Sequence, residues 1–131
     1  MTTAARVLVI DDDTLLRTVL CESLADEGYE VRPAHNGRDA LAVLDDWAPD
    51  VIVLDLMMPG MDGWAFRRAQ LGRRTVADIP VIVLSATRDL RADTEDLRAQ
   101  VAFPKPFELP RLLDSVRQIV GSGRVETPRA P

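Results

Sequence analysis

A chain of 131 residues, 47% hydrophobic and 28% charged, has the size and composition of one globular domain with a single core. No apolar run approaches the ~18–20 residues of a membrane helix, and the lone cysteine, Cys21, excludes an internal disulfide framework or a Cys-rich zinc site. A net charge of −5 argues against nucleic-acid binding by this domain, which needs basic surface to displace phosphate counterions.

In chain order, the first segment Val7-Leu-Val-Ile10 is short, unbroken and β-branched, which predicts a strand buried on both faces. The same pattern recurs at Val51-Ile-Val-Leu54 and Val81-Ile-Val-Leu84. Weaker strands are expected at Glu30–Ala34 and Val101–Phe103. Between them lie helical periods. Leu15, Leu16, Val19, Leu20 and Leu24 follow Asp13 or Thr14 as N-cap and close at Gly28. Ala40 to Trp47 follow Asn36 and stop at Pro49. Phe66, Ala69 and Leu71 mark a short helix after Gly63. The mostly charged stretch Asp89–Gln100 is expected to be a helix anchored by Leu90 and Leu97, with its charges on a solvated face. Leu109, Leu112, Leu113, Val116, Ile119 and Val120 end at Gly121.

Five βα units of this length imply right-handed crossovers and an open parallel sheet covered on both faces. Ligands of such sheets sit beyond the carboxyl ends of the strands. Residues 1–121 are therefore expected to form the domain. Residues 122–131, rich in Gly and Pro, read as a tail or linker stub. The start of the chain, Met1 to Arg6, is not followed by the apolar stretch of a secretory signal, so a reducing, cytoplasmic location is expected.

The predicted strand ends carry the chemistry. The first strand runs into Asp11-Asp12-Asp13, the third into Asp55, the fourth into Ser85, and the last into Lys105-Pro106. Carboxylates at ~4 Å repel by several kcal/mol at an effective dielectric near 20. A divalent cation removes that cost, and an oxygen-only donor set with few protein ligands selects Mg²⁺ before Ca²⁺. Metal, ammonium and hydroxyl together make a cradle for a phosphoryl group, within which a carboxylate can act as nucleophile. Asp55 stands alone at its strand end, ahead of the turn-rich Pro59-Gly60 and Asp62-Gly63. It is the expected nucleophile, with Asp11 and Asp12 serving the metal. Lys105 is the only lysine beside fifteen arginines, and Pro104 and Pro106 restrict its backbone.

With these residues in place the sequence resembles a bacterial two-component response regulator receiver domain. The matching stretches are Val7-Leu-Val-Ile-Asp-Asp-Asp13, Val51-Ile-Val-Leu-Asp-Leu-Met-Met-Pro-Gly-Met-Asp-Gly63, Val81-Ile-Val-Leu-Ser-Ala86 and Lys105-Pro-Phe107. The resemblance implies a flavodoxin-like (βα)5 fold with strand order 2-1-3-4-5. It implies a phosphoryl group passed from a sensor histidine kinase or histidine phosphotransfer protein to Asp55. It also implies Mg²⁺ held by Asp12, Asp55 and the Met57 backbone carbonyl with help from Asp11, and phosphoryl contacts from Ser85 and Lys105. Met57 and Thr87 flank the site where such domains tune the lifetime of the phosphorylated state, and homodimerisation on phosphorylation is among the outputs the resemblance allows. Two departures stand out. Receivers usually carry an aromatic three residues before the lysine, where this chain has Ala102, with Phe103 one step later and hence on the other face. The spacing from Ser85 to Lys105 is also short, which predicts a trimmed fourth helix or following loop.

The expected function is a phosphorylation-dependent signalling switch rather than a turnover enzyme. The alternatives are a Mg²⁺-dependent phosphatase using Asp11 as nucleophile, a receiver-like module acting through protein contacts alone, and a flavodoxin-like electron carrier. The last is disfavoured by acids where a flavin phosphate would sit. Among the remaining residues, Asp13 is expected only to cap a helix and His35 to sit in an exposed loop. Cys21 and Trp47 are expected to pack, and Trp64 either to pack or to rim the site.

Overall fold

The computed structural model describes residues 4–86 and 89–126, without the side chains of 122–126. Thr87 lies outside the described residues. Five strands alternate with five helices: β1 (Arg6–Ile10), α1 (Thr14–Asp26), β2 (Glu30–Ala34), α2 (Gly37–Leu44), β3 (Val51–Asp55), α3 (Gly63–Leu71), β4 (Val81–Ser85), α4 (Leu90–Leu97), β5 (Val101–Pro104) and α5 (Leu109–Glu126). All strand pairs are parallel, in the order β2-β1-β3-β4-β5. This is the flavodoxin-like arrangement expected from the β-branched runs. Every residue of β3 and β4 is buried, because helices cover both faces and leave no solvent side on which polar residues would alternate. The two edge strands, β2 and β5, contain Pro33 and Pro104.

The alternation of side chains along the strands divides the core in two. Leu8, Ile10, Ile52, Leu54, Val81 and Val83 pack with Ala40, Leu44, Phe66 and Leu97, toward α2, α3 and α4. Val7, Val9, Val51, Val53, Ile82 and Leu84 pack with Leu20, Leu24, Leu112 and Val116, toward α1 and α5. Ala102 belongs to the first cluster and Phe103 to the second. The one-residue offset noted in the sequence thus places the aromatic ring under α5, where it lies 6.4 Å from the Phe107 ring, and leaves a methyl group on the α4 side.

Local signals account for the helix starts. Asp13, Asn36, Asp62 and Asp89 are N-caps whose carboxylate or amide oxygens accept backbone N–H bonds, each worth about 1 kcal/mol. Gly28 takes φ +97° just past α1 and Gly60 takes φ +75° in the loop after β3, conformations that a side chain disfavours. Trp47 is buried, and the guanidinium groups of Arg6 and Arg32 lie over its ring at 5.5 and 4.8 Å.

Three features differ from expectation. α5 continues to Glu126 instead of stopping at Gly121. Gly121 lacks the positive φ of a helix stop, and glycine inside a helix costs only about 1 kcal/mol relative to alanine. The expected tail then begins within this helix, and 127–131 lie outside the described residues. The buried stripe of α3 is Gly63, Phe66, Arg67 and Gln70, with Ala69 and Leu71 only half-buried. Arg67 tolerates burial because its guanidinium donates to the carbonyls of Leu97 (2.9 Å) and Arg98 (3.0 Å) and to Gln70 Oε1 (2.7 Å). Gln70 in turn donates to the carbonyls of Val76 and Ile79. Burial pushes the Arg67 pKa down from its usual value, with the nearby Arg98 charge adding to the effect. Finally, Asp93, within the charged stretch of α4 expected on a solvated face, is buried.

Candidate functional site

Three strands deliver the site at their carboxyl ends. β1 ends at Ile10, so Asp11 follows at the sheet edge and is fully buried, while Asp12 is exposed and Asp13 caps α1. Asp11 N donates to the Ala34 carbonyl, holding the turn against β2. β3 ends on Asp55, which is 2% exposed. Lys105 follows β5, and its backbone N–H donates to the Ser85 carbonyl at 2.9 Å, which ties the lysine to β4. The Lys105–Pro106 peptide is cis.

The side chains converge. One carboxylate oxygen from each of Asp11, Asp12 and Asp55 lies within 4.8 Å of the others. Lys105 Nζ sits 3.2 Å from both Asp11 Oδ2 and Asp55 Oδ1. Among the described residues it is the one cation ion-paired with these acids, leaving two negative charges of the three uncompensated. Asp11 Oδ1 accepts the Asp13 N–H at 2.9 Å, so both of its oxygens are engaged. Asp55 Oδ1 accepts the Met57 N–H at 3.3 Å, which folds the loop after β3 back over the carboxylate and keeps the Met57 backbone at the site. Among the described residues no hydrogen-bond donor reaches Asp55 Oδ2.

The electrostatics follow from this geometry. Burial pushes the Asp55 carboxyl up from 3.8 to about 6; the Asp11 charge adds to the rise, and Lys105 and the Met57 N–H oppose it. Lys105 moves the other way from what burial alone would cause: Asp11 and Asp55 together raise its pKa despite desolvation. An acidic cluster that one ammonium leaves short by two charges suits a divalent ion, and its oxygen donors suit a hard one.

Ser85 is brought to the same sheet edge but is engaged elsewhere: its Oγ donates to Asp93 Oδ2 at 2.8 Å, with both residues buried. Sequence reasoning missed Asp93. The signal was available, since position 93 lies three residues after Leu90 and four before Leu97, on the inward stripe of the helix. His35 is exposed and pairs with Asp39 at 2.8 Å, away from the cluster. Cys21 packs beside the α1–α5 core, where burial raises its thiol pKa. Trp64 packs against the α2–α4 core.

The surface beside the site is apolar. Among the described residues, Leu15 (75% exposed), Val19 and Met57 are the exposed large hydrophobic residues. Leu15 and Val19 line a groove of about 640 Å³ with Leu16, Phe107 and Leu109, and Lys105 stands at its edge.

Comparison with known proteins places these features in context. The sequence profile described as the response regulator receiver domain matches residues 7–117. Response regulator MprA of Mycobacterium ulcerans is 40% identical over 129 residues, covering 97% of this chain and 55% of that protein. MprA of Mycolicibacterium vanbaalenii is 42% identical over 117 residues, covering 88% and 50%. The chain thus spans about half the length of these curated relatives. Among solved structures, the chemotaxis response regulator CheY4 of Vibrio cholerae superposes with a TM-score of 0.82 at 31% identity, covering 89% of this chain and 99% of that one. TrrA of Thermotoga maritima, solved in complex with Mg²⁺ and BeF, superposes with a TM-score of 0.77 at 31% identity, covering 88% and 98%.

Proposed function

The chain belongs to the response regulator receiver domain family of two-component systems, and on that footing we propose that Asp55 is its phosphoacceptor. The donor is a phosphohistidine of a sensor histidine kinase or histidine phosphotransfer protein. With the other ring nitrogen of the donor imidazole protonated, the P–N bond breaks as a P–O bond to the Asp55 carboxylate forms, and the imidazole leaves neutral, keeping that proton. Later attack by water returns the carboxylate and inorganic phosphate. The chain modifies its own side chain and is not a turnover enzyme; its output is a change in protein contacts.

The observation that carries this reading is the convergence of three carboxylates and Lys105 at one sheet edge, with Asp55 at the end of a fully buried strand. Asp55 is favoured over Asp11 because both Asp11 oxygens already hold donors, whereas Asp55 keeps Oδ2 without one among the described residues. Asp11, Asp12 and Asp55 would hold Mg²⁺ with the Met57 carbonyl, and the ion when bound would supply positive charge opposite the phosphoryl oxygens. Lys105 positions the acceptor by pairing with Asp55 and then meets the incoming charge. Leu15, Val19 and the groove beside Lys105 support a protein donor, since an apolar rim around a polar site is what a docking partner covers. We place the chain in the cytoplasm with its kinase; among the described residues no helix is long and apolar enough to cross a membrane.

The test is incubation with acetyl phosphate, with and without Mg²⁺, followed by mass measurement and peptide mapping. A single Mg²⁺-dependent phosphoryl gain on Asp55 is expected. Label on Asp11 would instead indicate phosphatase-type chemistry, and no label at all an interaction module independent of phosphorylation.

Lys105→Arg tests the cation. One Nζ serves two carboxylates at 3.2 Å each from a three-quarters buried position. A planar guanidinium cannot reproduce that point contact. The rate of labelling by acetyl phosphate is expected to fall about 10–100-fold, less than the ~100–1000-fold cost of losing an aligned donor outright because arginine keeps the charge. An unchanged rate would remove Lys105 from the site.

A further inference from the structure

The Ser85 hydroxyl carries one proton, and in this structure that proton is donated to Asp93 Oδ2 at 2.8 Å. The Ser85 backbone is not free to follow a new partner. Its neighbour Leu84 is in register with Asp55, and its own carbonyl accepts the Lys105 N–H. What remains is rotation about χ1 between staggered wells. If Ser85 contacts the phosphoryl group on Asp55, as the family resemblance implies, that group and the carboxylate of Asp93 are rival acceptors for the same hydroxyl. Asp93 lies near the start of α4, its backbone N–H donating to the carbonyl of the N-cap Asp89 at 3.2 Å. The other end of that helix is tied down independently: Leu97 is buried, and Arg67 of α3 donates to the carbonyls of Leu97 and Arg98. Disturbing the Ser85–Asp93 bond thus acts on the first turns of α4 and leaves the last in place.

We propose that Asp93 is a positioning residue that holds the Ser85 hydroxyl away from Asp55, and that phosphorylation draws this hydroxyl off Asp93 and so loosens the N-terminal half of α4. This rests on Asp55 being the phosphoacceptor. The bond is charge-assisted, a kind roughly twice as strong as a neutral one, so its loss is felt by the helix. Asp93 is also a negative charge near a site that receives an anion, and the two effects separate in a double-mutant cycle. Removal of charge acts whether or not residue 85 has a hydroxyl; removal of the restraint acts only when it does.

The experiment titrates beryllofluoride with Mg²⁺ against the native chain, Asp93→Ala, Asp93→Asn, Ser85→Ala and the Ser85→Ala/Asp93→Ala double variant. Asp93→Ala is expected to bind about tenfold more tightly than the native chain, from the loss of one charge-assisted hydrogen bond. In the Ser85→Ala background the same change is expected to be worth less than about twofold. Asp93→Asn, which keeps an acceptor for the hydroxyl, should fall between native and alanine. Amide hydrogen exchange supplies a second readout: beryllofluoride should speed exchange in the first half of α4 in the native chain but not at Leu97–Ala99, and Asp93→Ala should show the fast pattern unliganded. Equal tightening in both backgrounds, or none in either, would overturn the restraint while leaving Asp55 as acceptor. No beryllofluoride binding by the native chain would overturn both.

Discussion

Asp55→Asn is expected to accept no phosphoryl group and, in metal-free buffer at pH 8, to unfold at a higher temperature than the native chain. The first outcome is loss of the nucleophile. The second follows from the site's electrostatics. The folded chain holds the Asp55 proton up to about pH 6, against 3.8 for an unperturbed carboxyl, because the group is buried beside Asp11 and only partly relieved by Lys105. A carboxyl whose pKa rises on folding binds its proton more tightly in the native state. Its contribution is therefore most favourable below the unfolded pKa and is lost as pH climbs from about 4 through about 6. At about 1.4 kcal/mol per unit, the penalty above that window approaches 3 kcal/mol. Asparagine carries no charge at any pH. The variant should then gain about 1–3 kcal/mol at pH 8, or roughly 4–10 °C, and little at pH 4. Mg²⁺ should stabilise the native chain more than the variant. Thermal unfolding at the two pH values, with EDTA and with Mg²⁺, measures all of this. A variant no more stable than the native chain at pH 8 would mean that the acids are not in conflict.

The second large effect concerns Gly63. A Cβ there would lie 2.7 Å from the Asp55 carbonyl oxygen and from Leu56 Cα, and 2.8 Å from Leu56 Cδ2. Two of these neighbours are backbone, so no side-chain rotation makes room. The Gly63 N–H also donates to the Leu56 carbonyl at 3.0 Å, stitching the first turn of α3 to the chain just past the acceptor. Gly63→Ala is expected to cost about 2–4 kcal/mol, as overpacking against a fixed backbone does. It should also slow labelling of Asp55 in the folded fraction, because the end of β3 has to shift. Helix propensity alone predicts the opposite sign, a gain of up to ~1 kcal/mol. Gly121→Ala supplies the control: it lies within α5 with nothing within 4 Å of the added carbon, and should stabilise by about 0.5–1 kcal/mol. Denaturant unfolding of the two variants separates steric from propensity effects, and stabilisation by alanine at 63 would disprove the close approach.

What the sequence made legible was whatever is written in local pattern. Unbroken β-branched runs gave all three central strands, since burial on both faces leaves no alternation to misread. Asp13 and Asn36 revealed helix starts because their side chains bond the first free N–H groups. The acids and Lys105 could be placed together because parallel strands share a direction, so residues after each strand meet at one edge. The partners of the interior polar residues were hidden, even where helical spacing pointed inward, as it does for Asp93. Arg67 and Asp93 look like surface charges, and nothing in their own neighbourhood names the partners that make burial tolerable: two carbonyls thirty residues away for Arg67, and the Ser85 hydroxyl for Asp93. The end of α5 was misplaced for a different reason. A glycine stops a helix only when it takes a left-handed conformation, which composition does not reveal.

The proline in one outermost strand has a consequence for how copies of this chain can associate. The Glu30 N–H of β2 points into the sheet, to the Ala5 carbonyl, so Pro33 three positions on faces outward and removes an amide hydrogen from that border. The β2 border therefore offers no unbroken ladder on which a neighbouring chain could continue the sheet, the usual first step toward fibrous aggregates. On that side assembly is left to the helical surfaces, where contacts are made by side chains and can be undone.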